Sequence, residues 1–172
     1  MYNRIRKKID TFFFKIRGVS MKKGASIHRS VDIHNHKNLT IGSDSILYKN
    51  NSIYIGVKGG MKMGNNSHIA PFGYLLIDKN RIEIGNDVAI GPFCSFICHS
   101  NDLEGEHKEF SKNYLDSDIT IGNNVFIGAQ CVILPGVVIE DNVVVASNSV
   151  VKGRLSAGSV YGGSPVKLIK SL

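Results

Sequence analysis

The chain has 172 residues, 42% of them hydrophobic and 20% charged, with a formal net charge of +7 and no tryptophan. That length fits one domain and no separate second one, and 18 glycines against 4 prolines suit a corner-rich β structure rather than a helical bundle or a low-complexity segment. The positive charge asks for an anionic partner somewhere, but no zinc-finger spacing or other nucleic-acid signature accompanies it, so nucleic acid is not expected.

Residues 1–20 read as a helical extension. Arg4, Arg6, Lys7, Lys8, Lys15 and Arg17 alternate with Ile5, Ile9, Phe12, Phe13 and Ile16, the pattern of a basic amphipathic helix ending at Gly18. Its apolar run is too short to span a bilayer and lacks a signal-peptide cleavage pattern. Two uses are open: packing on the first coil or on a neighbouring subunit, and peripheral contact with a membrane.

From residue 21 to residue 172 the dominant signal has period six. Ile121, Ile127, Ile133, Ile139, Val145 and Val151 are all branched aliphatics; six apolar hits in one phase arise by chance in roughly half a percent of chains of this composition. The phase recurs at Ile84, Ile90 and Phe96, at Met63, Ile69 and Leu75, and more loosely at Ile41, Leu47 and Ile53. Small or β-branched residues stand four places after these anchors, at Ser45, Ser67, Val88, Cys94, Val125, Cys131, Val137, Val143 and Ser149. Both sets are expected to point inward. Short strands joined by tight corners bury one side chain every six residues if they wind as a coil, each pairing in parallel with the strand ~4.8 Å above it. Corners need positive φ, and Gly42-Ser43, Gly64-Asn65, Gly85-Asn86 and Gly122-Asn123 are expected to supply it. The expected fold class is therefore all-β, a parallel β-helix of three hexads per turn.

Three hexads make eighteen residues, yet the hexad positions Ile84 and Ile121 stand 37 apart. The excess is the inserted loop 99–118, a polar stretch that carries Asn101, Asp102, Glu104 and His107 out of an otherwise apolar solenoid. Loops projecting from rigid scaffolds are where function concentrates. Cys94, Cys98 and Cys131 read as reduced core thiols of a cytoplasmic protein, and no second Cys/His pair completes a zinc site with Cys94-x3-Cys98, so no metal is expected.

Three segments in order, Ile121-Gly-Asn-Asn-Val-Phe-Ile-Gly, Ile133-Leu-Pro-Gly-Val and Gly163-Ser-Pro-Val-Lys-Leu-Ile-Lys, resemble the closing coils and tail of the hexapeptide-repeat acyltransferases. They are most similar to the sugar O-acetyltransferase branch, which includes galactoside, maltose, nodulation and surface-polysaccharide enzymes. The resemblance runs from about Ile41 to Leu172. It implies a left-handed coil, a homotrimer with active sites between subunits, acetyl-CoA as co-substrate, and a sugar or glycan hydroxyl as acceptor in surface polysaccharide or oligosaccharide synthesis.

In the resembling enzymes the catalytic histidine follows a strand like Ser95-Phe-Ile-Cys and precedes a His/Glu-rich loop, which is the place of His99. A sugar hydroxyl is a poor nucleophile at neutral pH, and imidazole titrates in the right range to take its proton. The resemblance also implies Ala129 and Ser147 as backbone contacts for the thioester and pantetheine arm. The nucleotide phosphates would meet basic residues near the end of the solenoid, for which Lys152, Arg154, Lys167 and Lys170 are candidates; Asp78 matches an acidic residue of the family and is expected at the acceptor, together with Asn101 and Asp102 of the polar loop. The chain departs from the family pattern at Phe126, where tryptophan is frequent, at Gly73, where galactoside enzymes carry asparagine, and at Lys152-Gly-Arg-Leu-Ser after the last hexad. A galactoside acceptor is therefore not assumed. No P-loop, Rossmann or Gly-x-Ser-x-Gly signature is present, so a direct transfer without acyl-enzyme is expected. The same scaffold admits an N-acyltransferase acting on an aminosugar or antibiotic, a noncatalytic trimeric scaffold, and a metal-dependent hydratase that would need clustered histidine ligands.

Overall fold

The structure, a computed structural model, describes residues 4–172, with side chains from Lys8 onward. Residues 1–3 of the expected helical extension lie outside the described residues. Short strands stack into three long sheets of 7, 8 and 6 strands. Within them every pairing between coils is parallel, so successive hexads occupy successive faces and residues one coil apart lie on top of one another. Ile84 pairs with Ile121 and Ile121 with Ile139; Ile90 pairs with Ile127 and Ile127 with Val145; Phe96 pairs with Ile133 and Ile133 with Val151.

All the hexad anchors and all the small residues four places later are buried. Each buried branched side chain contributes about 1.5–3 kcal/mol, so the aliphatic column is the main cohesive element. The buried hydroxyls are satisfied within it. Ser45 Oγ donates to the Gly64 carbonyl and accepts the Ser67 N–H at 2.9 Å, and Ser67 Oγ likewise accepts the Val88 N–H at 3.0 Å.

The corners differ from expectation in one respect. Positive φ falls on Asp44, Asn66, Asp87 and Asn124, two residues after each glycine, and not on the Gly-Asn or Gly-Ser pairs. The glycines serve close approach instead: a Cβ at Gly42, Gly64 or Gly85 would collide with the glycine carbonyl of the next coil. Beside them runs a ladder of side-chain acceptors. Asn65 Oδ1 takes the Ser43 N–H, Asn86 takes that of Asn65, Asn123 that of Asn86, and Asp141 that of Asn123, at 2.6–2.9 Å. The sequence separations along this ladder are 22, 21, 37 and 18 residues. The eighteen-residue coil thus holds at the carboxy-terminal end, while earlier coils carry longer corners.

The helix Arg4–Ile16 covers the amino-terminal end of the stack. It stops as its sequence predicts, at Gly18: the Gly18 N–H donates to Lys15 O and the Val19 N–H to Phe14 O, closing the carboxy-terminal turn with Gly18 at φ +100°. At the other end, Lys167–Ser171 folds back antiparallel on Ser159–Gly162.

Candidate active site

The excursion 99–118 leaves and re-enters the solenoid at one corner, so its two ends form an antiparallel pair, His99–Asn101 against Tyr114–Asp116, with His99 opposite Asp116. His99 Nδ1 lies 2.8 Å from Asp116 Oδ1. The Tyr114 ring stacks on the imidazole, with centroids 5.0 Å apart and planes 20° from parallel. Asp116, 18% exposed at its side chain, also accepts from Lys79 Nζ at 2.8 Å and from Asn80 Nδ2 at 3.2 Å. The Lys79 ammonium, aided by the bonds from His99 and Asn80 and opposed by burial, holds the Asp116 carboxyl down at about 2. The same pairing pulls Lys79 upward.

An ionised Asp116 can only accept, so Nδ1 of a neutral His99 carries the hydrogen. Nε2 then keeps its lone pair, and among the described residues it has no hydrogen-bond partner. The imidazole is 30% exposed at its side chain, fixed on one edge and open on the other, which is the geometry of a general base.

Asp78 arrives from the coil below. It ends the strand Tyr74–Asp78 at a register shift opposite Ile55, in a left-handed conformation with φ +48°, and aspartate is among the few residues that tolerate this. Asp78, His99 and Asp116 offer ligand atoms within 4.8 Å of one another, a grouping able to hold a metal ion, which the sequence had not led us to expect. Against that use, Asp116 already accepts from Lys79, Asn80 and His99. Adjoining this corner is a cavity of about 210 Å³ whose lining includes Lys37, Asn38, Gly59, Gly60, Lys62, Arg81 and Glu83. The Gly60 N–H donates to Asn80 O at 3.0 Å, and Asn80 in turn donates to Asp116, which links the cavity wall to the His99–Asp116 corner.

The other expected residues fall in three places. Asn101 and Asp102 bond within the loop: Asn101 Nδ2 donates to Phe110 O, and Asp102 Oδ1 accepts the Glu104 N–H. The loop's organiser is the buried Asn113, whose side chain bonds both backbone groups of His107. Ala129 and Ser147 stack on adjacent coils, the Ala129 N–H donating to Ser147 Oγ at 3.1 Å. Lys152, Arg154, Lys167 and Lys170 gather toward the carboxy-terminal end, where Arg154 is engaged by Glu140 at 2.7 Å. At Gly73, a Cβ would press on Asn51 Oδ1, which accepts the Gly73 N–H at 2.7 Å, so this position has no room for the asparagine of galactoside enzymes without displacing Asn51. The three cysteines are free and buried, and burial pushes Cys98 up to about 12.

Asp116, Lys79, Asn80 and Tyr114 were not singled out from sequence. A signal was available: a loop that returns to its own corner brings its ends together, so an acid at the re-entry end is a natural partner for a histidine at the exit.

Residues 118–153 match the family model described as "Bacterial transferase hexapeptide (six repeats)". The chain is 31% identical over 120 residues to galactoside O-acetyltransferase of Escherichia coli K12, covering 70% of this chain and 58% of that enzyme, and so spans little more than half the relative's length. It is 38% identical over 126 residues to Protein CapG of Staphylococcus aureus, covering 67% of this chain and 68% of CapG. Among solved structures, a variant of AntD, an N-acyltransferase from Bacillus cereus in complex with dTDP and Coenzyme A, superposes with a TM-score of 0.83 at 26% identity, covering 93% of this chain and 87% of that one.

Proposed function

This chain belongs to the hexapeptide-repeat acyltransferase family, and on that premise we propose that it is an acetyl-CoA-dependent O-acetyltransferase acting on a sugar hydroxyl, in surface polysaccharide or oligosaccharide synthesis, with His99 as general base. The observation that carries this reading is the His99–Asp116–Lys79 chain, with contacts of 2.8 Å and 2.8 Å, in which one imidazole nitrogen is fixed and the other is free.

The donor supplies an activated acyl thioester. His99 Nε2 takes the hydroxyl proton as the sugar oxygen attacks and returns it to the departing thiolate, so the proton balance closes on one residue. Asp116 stabilises the imidazolium that forms between those steps, and Lys79 with Asn80 keeps Asp116 ionised and in place. Asp78 and the cavity beside Arg81 offer polar groups to orient the acceptor. Ala129 and Ser147 border the donor, and Lys152, Lys167 and Lys170 offer charge for its phosphates.

We read the assembly as a homotrimer with sites between subunits, working in the cytoplasm where acyl-CoA is made. Uncovered apolar surface supports burial against a neighbour: Tyr54, Tyr74, Phe72 and Phe93 are exposed, the last two stacked 4.9 Å apart at left-handed corner positions that bulky residues rarely adopt.

N-acyl transfer to an aminosugar is the second reading, favoured by the likeness to AntD over almost the whole chain. Thiol release from acetyl-CoA, measured beside product mass with matched hydroxyl and amino acceptors, separates the two. Ester product supports O-transfer; amide product alone overturns it. Failure to bind or turn over acetyl-CoA with any acceptor returns the protein to the class of noncatalytic scaffolds.

A further inference from the structure

Six basic residues and one acid, Asp10, fall within residues 1–18. The fold turns that acid inward: Asp10 is buried, its Oδ2 accepting the Arg29 N–H at 3.2 Å and its Oδ1 lying 4.0 Å from Arg29 Nη1. Phe14, one turn on, is 1% exposed and stacks on His36. Phe13 carries the guanidinium groups of Arg17 and Arg29, each 4.0 Å from its ring centre. These contacts fasten the helix to the first coils.

The opposite side of the same helix is largely exposed. Ile9, Phe12 and Ile16, spaced by three and four, form one stripe that is 53%, 67% and 69% exposed. Lys8 and Lys15, both exposed and one heptad apart, run along one flank, and neither makes an ion pair among the described residues. With Asp10 withdrawn, no acid remains on the outer side of the described helix.

We propose that this stripe is a docking surface for an anionic lipid bilayer: Ile9, Phe12 and Ile16 enter the boundary between headgroups and acyl chains while Lys8 and Lys15 meet headgroup phosphates. Charge selects this occupant. A second copy of the chain would set like-charged basic helices against each other, and a neutral apolar partner would leave the flanking ammonium groups uncompensated. No helix among the described residues is long and apolar enough to cross a membrane, so the contact is peripheral and reversible. Because the other side of the helix is locked to the solenoid, binding also fixes which end of the molecule faces the bilayer.

The test uses the full chain and vesicles of phosphatidylcholine alone or mixed with phosphatidylglycerol. The unaltered protein should co-sediment with the anionic vesicles at least about tenfold more than with neutral ones, and added salt should release it. The double variant Phe12→Ser/Ile16→Ser, and separately Lys8→Glu/Lys15→Glu, should lose that binding about tenfold or more with melting temperature, oligomeric state and acyl transfer to a soluble acceptor unchanged. Absence of binding by the unaltered protein, or undiminished binding by the double serine variant, overturns the proposal. So does a change in oligomeric state of the serine variant, which would make the stripe a subunit contact. The readout is vesicle binding, so it stands or falls separately from the acyltransferase reading.

Discussion

The solenoid passes from its third face to its first in two contrasting ways. In the fifth coil the chain goes from Ile133 to Val138 through Leu134-Pro-Gly-Val, with Gly136 at φ +78° making the turn and Val137 buried on the way. In the fourth it leaves after Ile97 and regains the first face only at Ile119. Ile84 and Ile121 nevertheless stack in register above and below the gap. The short passage is dictated by burial and backbone geometry; the long one is held by polar side chains, Asn113 on His107 and Asn101 on Phe110. A stack fixed independently on each coil tolerates a detour at one corner, and the detour is then free to place an imidazole against a carboxylate.

Breaking the stack should have the largest effect. Ile133→Asp puts an unpaired carboxylate among Phe96, Val151 and the flanking column, at a cost of several kcal/mol, about 3 or more. Loss of soluble folded protein, followed by circular dichroism and thermal melting, is expected; a normally melting variant would mean that the hexad phase is wrongly read. Breaking the detour instead should spare the fold. His99→Ala should lower turnover by about 100-fold or more with unchanged melting temperature and acetyl-CoA binding. Near-normal turnover in that variant, with loss in His107→Ala, would transfer the role of base to His107.

The same contrast governs what could be read from the sequence. The coil interior was legible because a period of six admits few alternatives and each anchor repeats the constraint of the last. The corners were read only in part: glycine signalled a turn, but its reason was the carbonyl of the next coil, and the left-handed residue stood two places on, at Asp44 or Asn66. Early coils drifted from eighteen residues because corner length is set by local contacts that leave the buried stack undisturbed. In the candidate site, the resemblance points to His99 but not to Asp116, since nothing periodic links residues joined only by a returning loop. Asn101 was expected to face the acceptor, and its hydrogen bonds lie within the loop.

Asp116→Asn sharpens the comparison because it alters the detour's charge and keeps its shape. The amide can donate to Nδ1, which would place the hydrogen on Nε2 and remove the lone pair that the proposed base needs, so kcat should fall by about 100-fold. KM for acetyl-CoA should stay unchanged. An equal loss in both parameters would make Asp116 a part of the donor site instead.

The smallest expected effect is on stability at low pH. Lys79 first, with His99 and Asn80, holds Asp116 at about 2 in the folded chain, against about 3.9 for an unstrained aspartate. A carboxylate whose folded value is depressed contributes stability that is fully present above its unfolded value and is lost as pH falls through the folded one. The difference in urea midpoint between the unaltered protein and Asp116→Asn should therefore be constant above about pH 5, shrink below about pH 4 and vanish only below the folded value, at about pH 1. Lys79 is 58% exposed at its side chain, so solvent screens the pair and added salt should narrow the gap further. A midpoint difference that persists undiminished at the acid end would mean that Asp116 holds the corner through hydrogen bonds and shape, and that its charge serves the imidazole alone.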